Sequence, residues 1–193
     1  MNKKFLISTL VLLLAAVAAV ATPSTQIWNP STDIQGAGSW HLGIDNYFTI
    51  AGGGGADYSL PADLGLTYGL LPGLEIGIDA SEPQVDPLAY NLKYGVAEKD
   101  YLPAFAVGCF GFGTVGGVND QNILYCVASK TFMLGRLSLG YFQGNAAVIG
   151  SENSGAILTW DKALTDKIWA CVDYSSGNSS YGALFGGVSY AFA

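Results

Sequence analysis

The stretch Leu66 to Ala80, "LTYGLLPGLEIGIDA", holds two alternating runs joined by "LLPG". Leu64, Leu66 and Tyr68 alternate with Asp63, Gly65 and Thr67 on one side of the break. Leu74, Ile76, Ile78 and Ala80 alternate with Glu75, Gly77 and Asp79 on the other. Period-two alternation around Pro-Gly predicts a β-hairpin. The same logic extends along the chain from Ser39. "SWHLGIDNYFTI" places Trp40, Leu42, Ile44, Phe48 and Ile50 on one face, against His41, Gly43, Asp45, Tyr47 and Thr49. "PLAYNLKYGV" alternates likewise, and "KIWACVDYSS" opposes Ile168, Ala170, Val172 and Tyr174 to Trp169, Cys171 and Asp173. With "NILYCVASKTF", "RLSLGYFQG", "GAILTWDKA" and "YGALFGGVSYAFA", the pattern predicts about ten strands. "LPAFAVGCFGFG" is apolar at both parities and does not orient itself.

A hairpin does not say what its apolar face meets. In a soluble sheet it meets a core; in a membrane barrel it meets lipid and the polar face lines a lumen. Composition bears on the choice. The chain has 193 residues, 50% hydrophobic and 12% charged, where soluble domains carry about a quarter charged residues. The polar faces are mostly glycine, serine, threonine and isolated acids. Most runs have roughly the 9–11 residues that a tilted strand needs to cross a bilayer. Aromatics gather at strand ends: Trp40, Tyr47, Phe48, Tyr58, Tyr68, Tyr94, Tyr101, Trp160, Trp169, Tyr174 and Tyr181. Such rings form interfacial girdles in membrane barrels.

The beginning, "MNKKFLISTLVLLLAAVAAVATPST", has a basic start at Lys3 and Lys4, an apolar run from Phe5 to Val20, and small residues at Ala19 and Ala21. It reads as a signal peptide over 1–21. Residues 22–38, polar and turn-rich, read as an N-terminal extension, and 39–193 as one β-domain. After cleavage six basic residues face fifteen acids, a net charge of −9. So acidic a chain is a poor nucleic-acid binder.

The ending "FGGVSYAFA" carries family information. Gly187, Tyr190 and Phe192 fit a glycine-x-x-aromatic-x-aromatic pattern, with Phe192 penultimate because Ala193 follows. The sequence resembles a small bacterial outer-membrane β-barrel protein, whose last strand is read by the barrel-assembly machinery. The resemblance implies an all-β fold, an antiparallel up-and-down transmembrane β-barrel of about ten strands in outer-membrane lipid. It places "LLPG", "AEKDYLP", "FMLGR" and "LTDK" on the periplasmic side and the glycine-, serine- and asparagine-rich connections outside.

The polar parity then gives the lumen: His41, Asp45, Asp63, Thr67, Glu75, Asp79, Asn91, Lys93, Lys130, Arg136, Asp161 and Asp173. Ten strands enclose a narrow interior, either filled by side chains or a thin wet path. An excess of inward acids favours cations in any such path. A third-to-fourth strand loop centred on Gln84 puts Glu75 directly opposite Lys93, and inward glycines such as Gly43, Gly65 and Gly77 leave local space. Cys109 and Cys126 are equidistant from the middle of the fifth-to-sixth connection. This leaves two readings: a cross-strand disulfide, or small apolar wall residues alongside Cys171.

No Gly-x-Ser-x-Gly element and no histidine-based metal spacing occurs. Ten-stranded outer-membrane proteases use acids and a histidine near the extracellular rim, whereas His41 falls at the other end of its strand. The expectation is a non-enzymatic protein without a cofactor: a narrow porin-like channel or a structural membrane barrel. The alternatives are a surface adhesin acting through its loops and a secreted soluble β-protein.

Overall fold

In the computed structural model, residues 24–46, 62–81 and 88–192 are described. Ten strands follow in chain order: β1 (Trp40–Asn46), β2 (Ala62–Leu71), β3 (Leu74–Ser81), β4 (Leu88–Val96), β5 (Ala104–Gly113), β6 (Ile123–Phe132), β7 (Gly135–Gln143), β8 (Ser154–Ala163), β9 (Ile168–Ser175) and β10 (Ala183–Tyr190). One short helix, α1 (Ala146–Ile149), lies between β7 and β8. All ten strands form a single antiparallel up-and-down sheet in the order β1 to β10. Among the described residues no ladder joins β1 to β10. The signal peptide, Tyr47, Phe48, Tyr58, the glycine run at 52–55 and Ala193 lie outside the described residues.

Local chemistry explains one of the two-residue connections. Pro72 and Gly73 link β2 to β3, with Gly73 at φ +81°. Proline presets the second position of a type II turn, and the third needs the positive φ that glycine supplies freely. A glycine also relieves β5. The register with β4 slips between Tyr90 and Leu92, where Gly111 has φ +64° and donates its N–H to Asn91 Oδ1 at 3.0 Å. Phe110 keeps the inward parity of Ala104 and Ala106 and meets the rings of Tyr125 and Tyr181, while the extra residue of the bulge turns Phe112 outward, opposite Tyr90.

The two faces of the sheet are inverted relative to a soluble domain. Register partners share a face, and successive residues alternate between faces. On the outer face stand Leu42, Ile44, Leu64, Leu66, Ile76, Leu92, Val107, Leu124, Leu139, Leu158, Val172 and Val188, all exposed. Near the end carrying the Pro72–Gly73 turn, this outer face bears Trp40, Tyr68, Tyr94, Phe105, Phe132 and Trp160. Near the opposite end it bears Tyr90, Phe112, Tyr141 and Tyr174. Among the described residues its only charges are Lys130 and Lys162, both beside turns of the first end. The inner face holds the buried polar residues: Glu75, Lys93, Ser129, Ser138, Thr159, Asp161, Asp173 and Ser175.

Three sequence expectations need correction here. Lys130 is not inward: β6 buries Ile123, Tyr125, Val127 and Ser129, so Lys130 shares the outer parity with Leu124 and Cys126. Its ammonium turns to the rim, pairing with Glu98 at 2.7 Å and donating to Asp100 O. Hydrogen bonds from Lys130 and Thr131 hold the Glu98 carboxyl below its ordinary range. Trp169 and Tyr181 are not girdle residues. Trp169 faces inward and donates from Nε1 to Asp161 Oδ2 at 3.1 Å, and Tyr181 is buried beneath the far end. Cys109 and Cys126 do not face each other. Cys109 pairs with Leu124 and Cys126 with Val107, an offset of two, and all three cysteines are free.

Candidate functional site

The interior is where the chain concentrates its buried polar chemistry, and residues 24–38 occupy it. This segment folds back on itself. Gln26 N donates to Asn29 O at 2.8 Å, and Thr25 and Pro30 form an isolated antiparallel bridge. The bend aims three successive N–H groups, of Ile27, Trp28 and Asn29, at Asp173 Oδ2 at 3.1, 2.8 and 2.9 Å. Convergent backbone N–H groups make an anion cradle, here filled by the chain's own carboxylate. The other Asp173 oxygen accepts from Asn29 Nδ2 and Thr159 Oγ1. Asp173 is fully buried, so these donors stand in for lost hydration.

The segment touches the sheet on all sides, which requires the sheet to curl around it. Gln35 N donates to Glu75 Oε2 at 2.6 Å on β3, and Lys93 Nζ on β4 donates to Ser24 O at 3.0 Å and to Asp33 O. Thr32 meets Ser129 of β6, and Gln26 donates to Ser138 of β7. Ile34 packs over Gly95, and Ile27 over Gly187 of β10. At Gly69 of β2 any Cβ would run into the carbonyl oxygens of Gly36 and Gln35, which are backbone and cannot step aside. Gly69→Ala is therefore expected to lift residues 35–37 off β2. Hydrogen exchange at the Gly38 amide, now bonded to Gly69 O at 2.7 Å, should speed up while β6–β8 amides stay protected. Unchanged Gly38 protection would rule this packing out.

Two ion-pair groups brace the segment. Glu75 and Lys93 stand opposite each other, as the Gln84-centred loop predicts, with a 3.1 Å contact and side chains only 6% and 2% exposed. Arg136 is clamped between Asp161, at 2.9 Å from Nε, and both oxygens of Asp33, each 2.7 Å from Nη1. A cavity of about 620 Å³ opens beside this group at the turn end, lined by Asp33, Ile34, Gly73, Glu98, Ser129 and Arg136 among others.

The far end is closed differently. Phe110, Tyr125, Phe142, Ile123 and Ile157 turn inward and pack with Ile149 of α1, Trp28 and Tyr181. Tyr181 donates its hydroxyl to Asn29 Oδ1 at 2.9 Å, and its carbonyl accepts from Trp28 Nε1 and Ser175 Oγ. Beside this cluster the inner faces of β1–β3 carry Asp45 opposite Asp63, and Asp79 opposite Gly65. Asp79 accepts from Asn91 Nδ2 at 2.6 Å.

The structure thus gathers Glu75, Lys93, Arg136, Asp161 and Asp173 around one segment. Asp45, Asp63 and Asp79 form a separate acidic wall, with His41 and Thr67 as register partners on the same face. Two of the three inward glycines are covered, Gly65 by the Asp79 carboxylate and Gly77 by Asn91, while Gly43 keeps room for a methyl group. The sequence missed the inward aromatic cluster, since the runs around Phe110 and Tyr125 are apolar at both parities. At the C-terminus Gly187 seats Ile27, while the Tyr190 and Phe192 rings stack edge-on, 5.1 Å apart, on the exposed side. Among the described residues no group of three histidine, cysteine or acidic side chains could hold a metal ion. Compared with family models, curated proteins and solved structures, the chain matches none.

Proposed function

We propose that this protein is a bacterial outer-membrane β-barrel, closed by its own N-terminal segment and serving as a structural membrane element in this state. The observation that carries the reading is the inversion of the sheet. Among the described residues, apolar side chains cover the outer face with charge only at Lys130 and Lys162, while carboxylates, lysine and arginine are buried inside. Burying that inner set while exposing leucine to water would be costly twice over. Lipid outside removes one of the two costs. The aromatic bands at both ends fit two bilayer interfaces, and the lysines sit where long basic side chains reach headgroups. The C-terminal Gly187, Tyr190 and Phe192 supply the pattern that assembly machinery reads, and 1–21 the export signal.

The chain is expected to refold only in detergent or lipid, and then to run faster on gels unheated than boiled. A monodisperse, folded protein in plain buffer would exclude the reading. The short connections at the loop end give adhesion little surface.

A further inference from the structure

Resting on the barrel reading, we propose that residues 24–38 are a gate over a cation path, latched at the turn end by Asp33 and Arg136. Three observations converge. First, the segment is held mainly by polar contacts, which water and ions can replace. Its anchors are Asp173, the Glu75–Lys93 pair and the Arg136 clamp. Apolar packing is added by Ile27, Trp28, the fully buried Pro30 and Ile34.

Second, the latch is reachable. The Asp33 side chain is 49% exposed and lines the 620 Å³ cavity, so solvent and salt compete for its bond to Arg136. The latch also lies three residues from Gly36–Ala37–Gly38, with Gly38 at φ +79°, where the segment joins β1. Two glycines there let the backbone swing without dragging the strand.

Third, the wall behind the segment is shaped for it and charged. Gly69, Gly95 and Gly187 stand where the segment lies, so its departure leaves a groove along the inner face. Six inward acids, Asp45, Asp63, Glu75, Asp79, Asp161 and Asp173, face the two inward bases Lys93 and Arg136 among the described residues. A path lined this way passes cations over anions. The acidic wall of β1–β3 continues it past the aromatic cluster, which is built on β5–β8.

The test uses planar bilayers under a potassium chloride gradient. The wild type, Asp33→Asn and a deletion of residues 24–35 are compared, each first checked for heat-modifiable mobility. The wild type should be closed. The deletion should give discrete steps with a potassium-selective reversal potential. Asp33→Asn should open roughly fivefold more often than wild type, the effect of losing about 1 kcal/mol of latch.

Cys171 is a native reporter: it faces inward, is buried, and lies 3.6 Å from Gln26 Oε1. With Cys109 and Cys126 replaced by serine, a water-soluble cationic thiol reagent should label Cys171 faster in Asp33→Asn than in wild type. A heat-modifiable deletion barrel that carries no current, or an anion-selective one, overturns the gate and leaves the barrel reading standing. So does a wild type already open. Failure to become heat-modifiable in any variant, wild type included, overturns the barrel reading itself.

Discussion

Leu139→Arg is expected to destabilise the protein in lipid by about 2–4 kcal/mol, the cost of an arginine at mid-depth on a barrel's lipid face. Leu139 stands midway along β7, 65% exposed, between Ala128 and Leu158 on its neighbours. The same change on a solvated strand would fall within about ±0.5 kcal/mol. The sign and size therefore separate lipid from water at a single position. Gln143→Arg, at the strand end, is the control and should cost roughly 0–1 kcal/mol. Urea unfolding in vesicles, followed by tryptophan fluorescence, reads both. A neutral Leu139→Arg would mean that the outer face does not meet hydrocarbon.

Lys93→Met is expected to cost about 3–5 kcal/mol by leaving Glu75 charged and enclosed without its partner. Glu75 would keep only the Gln35 N–H as a donor, and the carbonyls of Ser24 and Asp33 would each lose one of two donors, keeping Ser31. The double variant Glu75→Met with Lys93→Met should be more stable than Lys93→Met alone, because a missing pair is cheaper than a stranded charge. Equilibrium unfolding of the two single variants and the double variant completes the cycle. Strict additivity would mean that the two groups do not interact.

How far the sequence carried this picture depended on range. Where strands are amphipathic and turns short, local pattern sufficed. The Pro72–Gly73 turn marked the β2–β3 hairpin, although a one-residue shift between Gly69 and Leu71 is what brings Leu66 opposite Ile78, and loop symmetry about Gln84 placed Glu75 against Lys93. Where both parities are apolar, the pattern lost its phase. "ILYCVASK" does not reveal that Tyr125 turns inward and Lys130 outward, because Cys126 and Val127 are equally acceptable on either face. The Cys109–Cys126 expectation assumed a symmetric connection after β5. The turn is asymmetric, with bends at Gly111 and Asn122, both at positive φ, and the pairing slides by two residues. The destination of residues 24–38 was illegible for a different reason. Nothing local marks Asn29 or Gln35 for the interior; their places are set by carboxylates 40 to 144 positions away.

That separation has a consequence in time. Each strand pairs with its immediate successor, so the sheet assembles by short-range steps. The partners of residues 27–29 lie in β9 and β10 and at Tyr181, in the last part of the sheet. The segment that precedes β1 is therefore among the last parts to settle, because its partners are in place only when the final strands have joined the sheet. Until it does, Asp173, Lys93 and Arg136 lack the partners that residues 24–38 supply, and the final ordering event is the arrival of the segment that precedes β1.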